Sequence, residues 1–208
     1  MPRPKLYDRT PDKRSAHLFI VACEGEATEA IYFRTVTEGL RKVRVEMLPV
    51  SPLGDSSPEH VIERMKQFVE KSDIKPDDTD TWLVMDVDHR SYGTHLHNLH
   101  KALQEARQLG FDVAMSNPCV ELWLLLHIEE CVDELTSKTM KARLRSVLPG
   151  FSEGRYNANQ LIPGVAVAIE RARDLDQSST SPVPDNPGTR VYQLMEAIRA
   201  KCDPNPPF

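Results

Sequence analysis

Four short apolar, β-branched runs are separated by amphipathic segments within the first 130 residues of the chain. They are HLFIVAC from His17, VRVEMLPV from Val43, TWLVMDVD from Thr81 and FDVAMS from Phe111. Each has strand length and strand composition. The segments between them repeat at helical spacing. Ile31, Tyr32, Thr35 and Val36 share one face, as do Val61, Met65, Phe68 and Val69, and then Leu96, Leu99, Leu103 and Ala106. Thr28 is placed to cap the first helix and Ser57-Pro58 to start the second, while Gly39 and Gly110 stand near the ends of the first and third. NPCVELWLLLHI reads as a fourth helix, with Asn117 as its cap and Pro118 in its first turn. A strand, a covering helix and a further strand close as a right-handed crossover between parallel neighbours. The expected fold is therefore α/β, a mostly parallel sheet of about four strands flanked by helices.

Beyond Cys131 the strand signal stops. Asp133 to Leu148, Ala158 to Leu175 and Gly188 to Lys201 read as helices, and Ser178 to Pro187 as a Ser/Pro-rich loop. The expected organisation is a flexible basic arm over 1–14, a core over 15–130 and a C-terminal helical extension over 131–208 packed on it. The arm carries a net +3, so the −5 of the whole chain leaves −8 on the body. Such a body argues against a histone-like nucleic-acid binder, but not against an enzyme that meets nucleic acid through metal ions. The most membrane-like run, Cys119 to Ile128, is interrupted by Glu121 and too short to span a bilayer. The N-terminus has no apolar signal region. Cys23, Cys119, Cys131 and Cys202 form no C-x-x-C pair. A cytoplasmic protein with reduced thiols and no membrane partner is expected.

In a parallel α/β sheet the ligand crevice lies at the carboxyl ends of the strands. Glu24 follows the first apolar run, and Asp86 and Asp88 end the third. Residues i and i+2 of an extended segment point the same way, so the two aspartates face one side. Clustered carboxylates repel, and a divalent cation between them lowers that cost. Mg²⁺ takes oxygen ligands and keeps several waters, positions that a phosphoryl group can fill. Any one of these acids alone reads as well as a turn cap. Three converging on one crevice, with Gly25 allowing close approach, favour a metal site.

His89 and Arg90 follow directly. Arg90 suits bidentate phosphate binding and His89 suits proton transfer near neutral pH, and both also read as solvated loop residues. His95, His97 and His100 lack a further ligand nearby and read as a polar helix face. Trp82, Trp123, Cys23 and Cys119 read as core. Ser116-Asn117-Pro118 reads as a helix cap, with anion binding by its amides as the alternative. The basic stretches Arg41-Lys42 and Lys141 to Arg145 are solvated faces unless the fold gathers them.

VACEGEATEAIYF, WLVMDVDHR and AMSNPCVELWLLLHI, in that order, resemble the RloB family, a Toprim-like group of bacterial anti-phage defence loci, typically beside an ATPase gene. The resemblance covers roughly residues 16 to 130, and NPGTRVYQLMEAI resembles the family's C-terminal helix start. It implies a Toprim-like fold. It implies Asp86 and Asp88 as Mg²⁺ ligands, with Mn²⁺ as the alternative ion, and Glu24 as ligand or proton carrier. Glu121 falls in the third motif, either completing the acid cluster or bonding backbone amides. Family members carry a Tyr-x-Lys-like segment after that motif, where this chain has FSEGRYNANQ, leaving Arg155 or Tyr156 as substitutes.

Three functions stay open. One is a Mg²⁺-dependent nuclease acting on DNA or RNA, a toxic effector in abortive infection that works with the ATPase. Another is a Toprim-like binding module without chemistry. The third is a haloacid-dehalogenase-like phosphatase, which also uses D-x-D but prefers Thr or Val at the place of Arg90 and sets its motif on the first strand.

Overall fold

The computed structural model describes residues 16–25, 27–50, 57–72, 74, 76–87, 94–131, 133, 136–178 and 180–202. The elements run β1 (His17–Cys23), α1 (Thr28–Val36), β2 (Val43–Met47), α2 (Pro58–Lys71), β3 (Thr79–Asp86), α3 (Thr94–Gln108), β4 (Asp112–Asn117) and α4 (Glu121–Leu126). They continue with α5 (Ser137–Val147), α6 (Val165–Leu175), β5 (Gly188–Thr189) and α7 (Val191–Lys201). The sheet order is β2-β1-β3-β4-β5, with β1 to β4 parallel and β5 antiparallel to β4. The layout agrees with the expected α/β fold of a mostly parallel sheet flanked by helices, with five strands where about four are expected.

Alternation along the strands sorts the core into two layers. Phe19, Val21 and Cys23 of β1 and Trp82 and Val84 of β3 face α1, α4, α5, α6 and α7. Ile20, Ala22, Leu83 and Met85 face α2 and α3. Asp86 continues the Trp82 and Val84 series, so alternation puts it on the α1 and α4 side. Buried large apolar side chains such as Phe19, Trp123 and Leu122 each contribute roughly 1.5–3 kcal/mol of transfer free energy.

Several local signals act as the sequence suggests. The Ser57 hydroxyl accepts from the His60 amide and Pro58 takes the first turn of α2. Gly39 and Gly110 have φ of 75° and 77°, the left-handed region that ends a helix most cheaply in glycine. Trp82 and Trp123 are buried.

Other positions differ. Thr28 is inside α1, whose N-cap is Ala27. Its hydroxyl instead accepts from the Gly154 amide at 3.2 Å, because a later turn packs there. Asn117 is no helix cap. It ends β4 opposite Gly188, precedes a cis Pro118, and donates from Nδ2 to the Pro184 carbonyl at 2.9 Å. The helix after it starts only at Glu121, with no side-chain cap.

The strand signal also does not stop at Cys131. Gly188–Thr189 adds a fifth strand, and the Thr189 and Ser116 hydroxyls bond at 2.8 Å across it. Two residues are too few for a periodicity to register. The helix expected from Asp133 begins at Ser137, where Thr136 and Thr139 cap each other reciprocally. The helix expected from Ala158 is two 3-10 turns, Ala158–Gln160 and Ile162–Gly164, before α6, since Pro163 has no N–H to continue a ladder.

A buried ion pair ties the later segment down. Arg190 meets Asp176 at 3.1 Å and donates to the Ser181 and Ser178 carbonyls, while the Tyr192 hydroxyl donates to Asp176 at 3.0 Å. The loop before β5 is thereby pinned to the start of α7.

Candidate active site at the carboxyl ends of β1 and β3

Parallel register places the first two acids side by side. Cys23 lies opposite Val84, and the Glu24 amide extends that ladder by donating to the Val84 carbonyl at 3.2 Å. The Glu24 carboxylate turns back and accepts from the Asp86 amide at 3.3 Å. Glu24 is buried. Asp86, at the end of β3, has its carboxyl pushed well above the usual range by burial, with Glu29, Glu24 and Glu121 adding repulsion.

Glu29 and Glu121 complete a cluster of four acids. Glu29, in the first turn of α1, is buried and accepts from the Gly25 amide at 3.2 Å. Burial raises its pKa and Glu121 adds to the shift, while backbone amides and Lys141 oppose it. Gly25 permits this approach: a Cβ there would stand 2.5 Å from a Glu29 carboxylate oxygen, so the Glu29 side chain would have to shift. Glu121 enters from the first turn of α4 and is buried. Its partner is Lys141 of α5, whose Nζ stands 3.8 Å from Oε1. Composition and spacing do not single out Glu29, and they read Lys141 only as part of a basic stretch that is solvated unless the fold gathers it. Glu29 reads as an ordinary first-turn acid, and Lys141 reaches Glu121 only through the packing of α5 on α4.

The surroundings are inert. Burial raises the Cys23 and Cys119 thiols, and neighbouring carboxylates raise them further, so neither serves as a thiolate nucleophile. The Arg64 guanidinium of α2 donates to the Cys23 and Pro49 carbonyls, holding the end of β1. The Tyr156 hydroxyl donates to the Thr28 carbonyl at 2.9 Å and is raised by burial, then by Glu29 and Glu121. Tyr156 therefore borders the cluster, while Arg155 is exposed on the turn beside it.

Asp88, His89 and Arg90 lie outside the described residues, as does the side chain of His95. His97 and His100 sit exposed on α3, and among the described residues neither belongs to a group of His, Cys, Asp or Glu that could hold an ion. The Ser116 hydroxyl is taken by Thr189. Arg41 and Lys42 are exposed beyond the end of α1, and α1 starts beside the acids, so these two bases stand at the opposite end of the sheet.

An all-oxygen donor set in which burial and mutual repulsion disfavour charge suits a hard divalent cation. Among the described residues, no three His, Cys, Asp or Glu side chains are grouped closely enough to hold one together. Asp88 is the remaining donor that the sequence supplies.

A family model described as RloB-like protein matches residues 19–198. The chain belongs to the RloB-like protein family. The match takes in Glu24, Glu29, Asp86, Glu121 and Lys141 of this RloB-like chain, together with β5 and most of α7. No curated protein and no solved structure matches it. Among the described residues, no helix is long and apolar enough to cross a membrane.

Proposed function

We propose that this RloB-like protein is a metal-dependent nuclease that hydrolyses phosphodiesters of DNA or RNA, and that it acts as the toxic effector of an anti-phage defence system with an ATPase partner. The carrying observation is the meeting of Glu24, Glu29, Asp86 and Glu121 at the carboxyl ends of β1 and β3, with Asp86 and Glu29 raised. Glu24, Glu29 and Glu121 are buried and Asp86 is half-buried, and among the described residues Lys141 is the one cation paired with the set, so the grouping is costly without a further compensating charge.

Asp86 and Asp88 would hold Mg²⁺ or Mn²⁺, with Glu24 as a further ligand or proton carrier. The bound ion supplies Lewis-acid polarisation of a phosphoryl oxygen and a more acidic water. The Asp86 amide orients Glu24 toward the crevice, where it can take the proton of an attacking water or return one to the leaving oxygen. Glu29, tethered to Gly25, adds a further carboxyl beside Glu24. In this reading water is the nucleophile, and the raised thiols of Cys23 and Cys119 do not compete with it.

The test is cleavage of mixed DNA and cellular RNA with Mg²⁺, Mn²⁺ or chelator, with and without the neighbouring ATPase. Wild type is compared with Asp86→Ala and Glu24→Ala. Metal-dependent cleavage lost in both variants is the expected outcome. Metal-independent cleavage, or cleavage retained by both variants, sinks the reading.

The absence of a three-ligand group among the described residues favours a second reading, a binding module whose acids serve backbone amides. Mg²⁺ then gives no thermal stabilisation, whereas a functional metal site gives a concentration-dependent rise.

A further inference from the structure

Two cations of α5 share one surface carboxylate. Lys141 and Arg145 lie one turn apart on the same face of the helix. Glu153 bridges them: Oε2 stands 3.1 Å from Lys141 Nζ, and Oε1 stands 3.4 Å from Arg145 Nη2. Each oxygen of one anion thus takes one cation, the arrangement that two non-bridging phosphate oxygens would make. On its other side Lys141 faces the buried Glu121. One helical turn earlier, Ser137 stands beside Cys119, so this face of α5 abuts the acid cluster.

The three side chains differ in how firmly they are placed. Lys141 is 28% exposed at its side chain, Arg145 51% and Glu153 53%. Glu153 sits on the turn between Ser152 and Arg155, next to Gly154 at φ 69°. An exposed pair of this kind is weak, so an incoming anion displaces Glu153 at little cost. Lys141 stays, held from below by Glu121.

We propose that Lys141 and Arg145 form a phosphate subsite beside the acid cluster, and that Glu153 is its placeholder, a carboxylate that occupies the two cations until a backbone phosphate of the substrate replaces it. The subsite rests on the nuclease reading for the identity of its ligand, a polynucleotide phosphate. It seats a phosphate next to the one being cleaved and sets which stretch of backbone reaches Asp86. Family resemblance looked to Arg155 or Tyr156 for this work. The Tyr156 hydroxyl is committed to Thr28, and the two cations come from α5 instead.

The test is fluorescence anisotropy of a labelled single-stranded oligonucleotide over a salt series, with Ca²⁺ in place of Mg²⁺ so that binding is read without turnover. Lys141→Gln is expected to bind about tenfold more weakly. Its dependence of log affinity on log salt is expected to be shallower by about 0.7, one single-strand phosphate contact. Lys141→Arg restores both. Arg145→Gln, a surface change, weakens binding in the same sense. Glu153→Gln is expected to bind about threefold to fivefold more tightly, because the competitor is gone.

Inorganic phosphate added as competitor displaces the oligonucleotide from wild type and loses that effect in Lys141→Gln. Unchanged affinity and slope in both Lys141→Gln and Arg145→Gln, weaker binding by Glu153→Gln, or equal phosphate competition in wild type and Lys141→Gln would each overturn the subsite. Cleavage that persists in wild type alongside any of these leaves the nuclease reading intact. The expected binding shifts without cleavage under any condition sink the nuclease reading and keep the subsite.

Discussion

At the scale of single residues, Asp86 is where sequence and structure agree on the place and the structure adds the energetics. Its position at the end of an apolar run is legible because a strand that burial demands cannot end in a carboxylate without a reason. The cost is not legible, since it comes first from burial by the folded chain and then from Glu29, Glu24 and Glu121, two of them brought in by other elements. Replacing Asp86 by Asn removes that repulsion. In chelator at pH 8, Asp86→Asn is expected to be more stable than wild type by about 1 kcal/mol in urea unfolding, an advantage that shrinks when Mg²⁺ is added.

His127 gives a second measurable consequence. It is buried, its Nδ1 donates to the Trp123 carbonyl at 2.8 Å, and its Nε2 accepts from the Tyr32 hydroxyl at 3.0 Å. Burial lowers its pKa from 6.5 to about 4. Between those values the unfolded chain takes up a proton that the folded one refuses, so stability falls as pH drops through the window. The loss approaches roughly 3 kcal/mol at pH 4, and His127→Gln is expected to flatten it. Urea midpoints from pH 7 to pH 4 measure the difference.

At the scale of elements, the parallel strands and most helices were readable because each apolar run feeds a buried layer. The failures lie where a remote segment decides a local geometry. Thr28 looks like a cap by residue type, yet Gly154 takes its hydroxyl. Asn117 precedes a helix in sequence but is claimed by Gly188 and Pro184. Glu29 goes unread for the same reason, since it reads as a first-turn acid, and Lys141 reads as a solvated base unless the fold gathers it. The Asp176–Arg190 pair has the same character. Asp176→Ala leaves Arg190 buried beside only carbonyls and the freed Tyr192 hydroxyl, and is expected to cost about 3 kcal/mol or more. Thermal denaturation reads this directly. A loss below about 1 kcal/mol would mean that solvent reaches the guanidinium.

At the scale of the whole molecule, the segments after Cys131 are part of the same core as β1. Met140, Leu144, Phe151, Leu161, Ile169 and Leu194 lie in one apolar cluster with Phe19 and Trp123. A chain ended after Pro187 lacks β5 and α7, opens the edge of β4, and is expected to lose near-UV circular dichroism and cooperative unfolding. Retention of a sharp transition would show that the sheet closes without them. The two-residue β5 has a further consequence during synthesis. A growing chain on the ribosome carries every one of the clustered acids long before it carries Thr189. Until α7 has cleared the exit tunnel, the helix that packs on α6 and β4 is missing. The acid cluster therefore gains its full packing support only once the segment from Gly188 to Lys201 has been made and has docked.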